Sequence, residues 1–197
     1  YSKKECEELV SKYYHTDRKL CQIEYPEQVI DMKKYITEEE RLSRYFDTAI
    51  NFYEELGQPI DYQKRIELQL PDLPVPIIGF IDLMYENTIR DIKTTARTPS
   101  KVLEGHARQV SVYGKAENCV PILDYVVVTA KDEKVVSYTV EDVDRHIRTV
   151  EQVAYSIMQF LSYSNDKYEL ANGCYPNIDD WKWGEDEINF AKQIWRI

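Results

Sequence analysis

Asp82 interrupts an otherwise apolar run, Ile77-Ile78-Gly79-Phe80-Ile81-Asp82-Leu83-Met84, and further on Asp91 and Lys93 stand two apart in Thr88-Ile89-Arg90-Asp91-Ile92-Lys93. Residues two apart in a strand share a face, so a carboxylate and an amine occupy one surface. A charge inside an apolar strand is costly unless it is paired or bound to a metal. If the short Glu86-Asn87 turn brings Asp82 and Asp91 together, they supply oxygen ligands of the kind Mg²⁺ and Mn²⁺ take while keeping waters and phosphate oxygens. The chemistry would be phosphodiester hydrolysis, in which a metal-activated water attacks and Lys93 orients that water or neutralises charge on phosphorus. The competing arrangement is a surface ion pair between Asp91 and Lys93, with Asp82 in a turn.

The segment that follows adds polar groups of the same use. Gln109 and Tyr113 are four apart, and His106 stands three before Gln109, so on a helix all three share one side. Amide, phenol and imidazole can each reach a phosphate or a base. Between Thr88 and Lys115 there are six basic residues, Arg90, Lys93, Arg97, Lys101, Arg108 and Lys115, and two acidic ones, Asp91 and Glu104. That window carries +4 in a chain of net charge −10, leaving −14 to the remainder. A basic window in an acidic chain, set around candidate metal carboxylates, suits a phosphate-bearing polymer entering a local groove. The plainer reading makes Tyr113 a core residue and the cations a solvated helix face.

The elements that must position these residues read as an α/β layered domain with a mixed sheet flanked by helices. Helices are expected over about 3–19 and 37–56, the second opened by the capping box of Thr37 and Glu40 and ended at Gly57. Its apolar residues Leu42, Tyr45, Phe46, Ala49, Ile50 and Tyr53 recur at three and four. The period then shortens, giving strands at 65–70, 77–84 and 88–93 in an antiparallel meander. A helix at about 99–116 follows, then the β-branched run Ile122 to Thr129, apolar enough to be buried on both faces. A strand at 135–140 and helices at 143–163 and 185–195 complete the order. The chain reads as a single domain, 1–197, with an N-terminal helical part (1–60), a catalytic sheet and motif helix (61–140) and a C-terminal helical part (141–197).

Composition narrows the classes. The 197 residues fit one sizeable domain, and 43% hydrophobic with 30% charged residues is a globular balance. No apolar run approaches the roughly 18 to 20 residues of a membrane span, and the first residues lack the apolar region of a signal peptide. Cys6, Cys21, Cys119 and Cys174 lie far apart with no C-x-x-C pair, which argues against a compact zinc site or a disulfide framework and for reduced thiols in the cytoplasm. The net negative charge argues against a globally basic nucleic-acid surface.

Gly79-Phe80-Ile81-Asp82, then Asp91-Ile92-Lys93-Thr94, then Gln109-x-x-x-Tyr113, with a buried strand after the motif helix, resembles the PD-(D/E)XK nuclease superfamily in its RecB-like exonuclease branch. The likeness covers about residues 63–130, and the three pieces in order are more specific than any one. The resemblance implies a restriction-endonuclease-like fold and a Mg²⁺- or Mn²⁺-dependent DNA exonuclease, working at single-stranded ends in phage or bacterial recombination, repair or replication. It implies metal ligation by Asp82, Asp91 and the Ile92 backbone carbonyl, and catalytic roles for Asp82, Asp91, Lys93, Gln109 and Tyr113. Thr94, Arg97, Lys101, His106 and Arg108 would meet the DNA, and a recombination or replication protein is an expected partner. Members commonly carry a further upstream His or Glu; His15, Glu24, Glu54 and Glu67 are the candidates, with Glu67 preferred by its nearness to the Asp82 strand. Some relatives hold an iron-sulfur cluster through three C-terminal cysteines, but only Cys174 lies in this tail, so no cluster is expected. Two other readings share these residues: a non-catalytic nucleic-acid-binding or assembly module, and an endonuclease of the same superfamily.

Overall fold

The computed structural model describes residues 32–174, 176–178 and 183–196, with side chains described from residue 41 onward. The elements are α1 (Met32–Leu56), β1 (Asp61–Leu68), β2 (Ile77–Met84), β3 (Thr88–Thr95), α2 (Glu104–Glu117), β4 (Val120–Val128), β5 (Glu133–Thr139), α3 (Val143–Ser162), α4 (Lys167–Ala171) and α5 (Glu185–Trp195). The architecture is the expected α/β one, a five-stranded mixed sheet flanked by helices. The chain expected as one domain gathers into two compact units, one of residues up to Leu68 together with Ile78–Val143, the other of Gln69–Ile77 together with residues from Asp144 on.

In the first unit the strands lie in the order β1-β2-β3-β4-β5. β2 and β3 are antiparallel, as the short polar turn between them requires, and β4 and β5 are antiparallel too. β3 and β4 run parallel, with Thr88 beside Val120 and Thr95 beside Val127, and α2 is the crossover between them. Helix α1 packs on β4 and β5, while α2 packs on β1, β3 and β4. Two helices on opposite faces explain why every residue of β4 from Leu123 to Val128 is buried. The expectation of a strand covered on both faces holds.

Several boundaries moved for identifiable reasons. Helix α1 is already formed at Met32, so Thr37 lies inside it and its capping-box pattern marks no start. The stop at Gly57 holds, with the glycine at φ +82°. Helix α2 begins at Glu104 instead of near Pro99, whose carbonyl accepts a hydrogen bond from Tyr138 Oη at 2.8 Å. It ends where Asn118 turns left-handed, at φ 53°. There Gly114 lies so close to β4 that a Cβ would come within 2.8 Å of the Cys119 carbonyl oxygen and 3.1 Å of Pro121. The first strand spans Asp61–Leu68 rather than 65–70. The helix expected at 3–19 lies outside the described residues. In the second unit α3 and α5 stand where expected, and the short α4, capped by Asp166 accepting from Tyr168 N, was not anticipated.

Candidate active site

Strand β3 sorts the charges by face. The parallel register sets Asp91 beside Leu123 and Lys93 beside Tyr125, and the intervening Ile92 beside Asp124. Alternation therefore sends Asp91 and Lys93 to the face under α2, and Arg90 to the face under α1. Asp91 is only 2% exposed. Lys93 Nζ forms an ion pair with Asp91 Oδ2 at 2.7 Å. Burial raises the Asp91 carboxyl above its ordinary 3.8; the Asp82 charge adds to the rise, and Lys93 and His106 oppose it. A buried carboxylate whose ion-pair partner is one flexible ammonium can exchange that partner for another cation.

Asp82 is held differently. The β2–β3 ladder pairs Met84 with Ile89 and Leu83 with Arg90. Next along, the Ile92 N–H donates to Asp82 Oδ2 at 2.8 Å, so a carboxylate stands where a strand carbonyl would. Gln63 Nε2 donates to Asp82 Oδ1 at 3.1 Å. Gln63 has φ 50°, a left-handed conformation disfavoured for a residue with a Cβ, and such strain collects at sites whose surroundings hold it in place. Sequence reasoning missed Gln63, because nothing in the residue string marks that kink.

Helix α2 contributes the remaining groups. His106 Nδ1 lies 2.9 Å from Tyr125 Oη, and the imidazole is within electrostatic reach of Asp91 and Lys93. Burial lowers the His106 pKa, Lys93 lowers it further, and Asp91 opposes. Gln109 Nε2 donates to Tyr113 Oη at 2.8 Å, the expected one-turn pair. Tyr113 is buried, and its ring lies against Gly79 so closely that a Cβ there would collide with it. The glycine and the tyrosine of the sequence pattern are thus two halves of one contact. Tyr125 was also missed; its signal was a phenol in a buried, mostly apolar strand, which needs a partner for its hydroxyl.

The expected nucleic-acid contacts divide. Thr94, Arg97 and Lys101 are exposed beside β3 and in the loop leading to α2, and Arg97 and Lys101 carry no ion pair among the described residues. Arg108 is loosely associated with Glu104 at 3.9 Å. Arg90, counted above in the basic window, is withdrawn from it. Its Nη1 lies 2.8 Å from both oxygens of Asp124 on the other face.

Glu67, the preferred upstream acid, is an exposed strand residue paired with Arg65 at 2.6 Å. Glu54 is exposed on α1, which packs on the Asp124 face. His15 and Glu24 lie outside the described residues. Among the described residues, no group of three or more His, Cys, Asp and Glu side chains could hold a metal. What remains for one is a two-carboxylate set, Asp82 and Asp91, the second buried with Lys93 as its ion-pair partner. Ile92 enters the site through its N–H, which holds Asp82, while its carbonyl is the main-chain oxygen of the expected set.

Among the described residues no helix is long and apolar enough to cross a membrane. No family model matches the chain, and no curated protein matches it. Among solved structures it is similar to the crystal structure of SSO0001, with 15% sequence identity, covering 82% of this chain and 80% of that one, at a TM-score of 0.43.

Proposed function

We propose that this chain is a metal-dependent DNA exonuclease that hydrolyses phosphodiester bonds at single-stranded ends, in the cytoplasm of a bacterial or phage-infected cell. The observation that carries the reading is Asp91, buried, raised in pKa, paired with Lys93 and electrostatically coupled to Asp82. Perturbed carboxylates of this kind are typical of sites that bind cations or move protons. A Mg²⁺ or Mn²⁺ held by Asp82, Asp91 and the Ile92 carbonyl would supply an activated water and offset negative charge on the phosphate.

The chain's own residues do the rest. Lys93 lies against Asp91 at rest and can turn its ammonium to a phosphate oxygen, since a lysine is a flexible point charge. Ile92 N–H and Gln63 hold the two oxygens of Asp82, fixing the plane of that carboxylate. Gln109 and Tyr113 form the wall under α2, and the unpaired Arg97 and Lys101 can follow the backbone beyond the cleavage point. A recombination or replication protein would deliver single-stranded ends to the site.

The deciding experiment is cleavage of end-labelled single-stranded and duplex DNA in Mg²⁺, Mn²⁺ or EDTA, with Asp91→Asn and Lys93→Ala beside the parent. The proposal expects metal-dependent loss of substrate by the parent alone. A parent that binds DNA and never cuts it assigns the fold to a non-catalytic binding module instead. Nicking of a closed circle makes it an endonuclease.

A further inference from the structure

The Tyr125 hydroxyl and His106 Nδ1 are hydrogen-bond partners, and which of the two donates sets which nitrogen carries the imidazole's proton. Tyr125 is 3% exposed and lies beside Lys93 in the parallel ladder. Its hydroxyl accepts the Leu103 N–H at 3.5 Å and lies 2.9 Å from His106 Nδ1. A hydroxyl that accepts from an amide still has its one proton to give. Given to Nδ1, that proton makes Nδ1 the acceptor and places the imidazole's own proton on Nε2. Nε2 has no protein partner among the described residues. The arrangement is braced from the next strand: Tyr138 packs edge-on against Tyr125 with ring centroids 5.9 Å apart, and its hydroxyl donates to the Pro99 carbonyl at 2.8 Å. The loop between β3 and α2 is therefore fastened at Pro99, Leu103 and His106 by two phenols of the sheet.

We propose that His106 presents Nε2–H to a non-bridging phosphate oxygen of a single-stranded nucleic acid, and that Tyr125 is the positioning residue that fixes this tautomer. The inference rests on the nuclease reading above. Lys93 already supplies a full positive charge to this face, and a second cation beside it would be repelled. A neutral N–H donor adds a hydrogen bond to phosphate without that repulsion, and a donor fixed in advance needs no reorganisation when the strand arrives.

Two measurements on the full chain test it. The ring-nitrogen NMR signature of His106, taken without DNA, should show the proton on Nε2 in the parent and a mixture of tautomers in Tyr125→Phe, which keeps the ring and loses the hydroxyl. Binding of a fluorescein-labelled oligothymidylate, with Ca²⁺ in place of Mg²⁺, should weaken about 3- to 10-fold in His106→Ala and in Tyr125→Phe, the loss expected for one hydrogen bond. The double variant should bind no more weakly than His106→Ala, and His106→Gln, whose amide still donates, should recover part of the loss. A proton on Nδ1 in the parent overturns the inference, as do losses that add in the double variant. If the parent cleaves DNA and His106→Ala binds as well as the parent, the inference fails and the nuclease reading stands. If the parent neither binds nor cleaves, both fail.

Discussion

The two faces of one sheet each bury an aspartate, and the two are provided for in opposite ways. Asp124, fully buried under α1, receives Arg90 Nη1 on both oxygens at 2.8 Å, Tyr53 Oη at 2.9 Å and Ser137 Oγ at 2.6 Å. Arg90 is backed by the Phe52 ring, 5.8 Å from its guanidinium carbon. Asp91, beside Leu123 in the ladder, is nearly as buried under α2, and its ion-pair partner is Lys93 at 2.7 Å. A buried carboxylate with three donor side chains is a fixed part of the fold, because nothing remains for a ligand to satisfy. A buried carboxylate whose ion-pair partner is one flexible ammonium is held in a costly state by its surroundings, and a cation that binds there relieves the cost. Burial alone does not distinguish a structural acid from a functional one. The count of donors does.

Substitutions on the two faces should therefore separate activity from stability. The largest effect is expected at Asp91→Asn, which should lower cleavage by about 100- to 1,000-fold, as loss of one preorganised electrostatic group does, while the variant still folds. A variant that unfolds, or one that cuts normally, would remove Asp91 from its proposed role. Asp124→Asn should do the reverse. Stranding Arg90 at the α1 face should cost about 3–5 kcal/mol in urea unfolding, with residual cleavage in proportion to the folded fraction. Tyr53→Phe deletes only one donor of that network and should cost about 1.5–3 kcal/mol, since the lost bond goes to a charged group. Gly79→Ala drives a methyl into the Tyr113 ring and should cost about 1–3 kcal/mol. The cost should shrink when Tyr113→Leu is combined with it, and simple additivity in that double-mutant cycle would show that the contact does not matter.

The smallest effect is the pH dependence of the metal-free protein in EDTA. Because Asp91 has a raised pKa when folded, the native chain holds that proton more tightly than the unfolded chain. Its contribution to stability is fully present below the ordinary 3.8 and is lost as pH rises through the raised value. Subtracting the Asp91→Asn curve from the parent curve isolates this term from the other carboxylates. The parent should gain stability relative to the variant as pH falls through that window, and parallel curves would contradict the burial of a charged Asp91.

Much of this was legible in the residues. The pair Asp91 and Lys93 two apart, the apolar run around Asp82, and the one-turn spacing of Gln109 and Tyr113 all encode local geometry, which strand and helix periodicity translate directly. The buried run of β4 was legible for the same reason, since a strand covered by helices on both faces shows no alternation. Glu67 was preferred for its nearness along the chain to the Asp82 strand, and in the fold its carboxylate pairs with Arg65. Arg90 failed because a charge count ignores the strand face, and one residue of offset sends a side chain to the other side of the sheet.

The sequence by itself determined which residues are carboxylates and amines, which of them fall on a common face, and that helices and strands of this order would layer as α/β. Only the tertiary structure decided which buried aspartate is satisfied. The donors that quiet Asp124 come from Tyr53 on α1, Arg90 on β3 and Ser137 on β5, the side-chain amide that holds Asp82 comes from Gln63, and the hydroxyl that meets His106 comes from Tyr125. Those partners are separated by 13 to 71 residues along the chain. No local spacing rule reaches that far, because a side-chain hydrogen bond depends on where folded elements meet, to within a few tenths of an ångström.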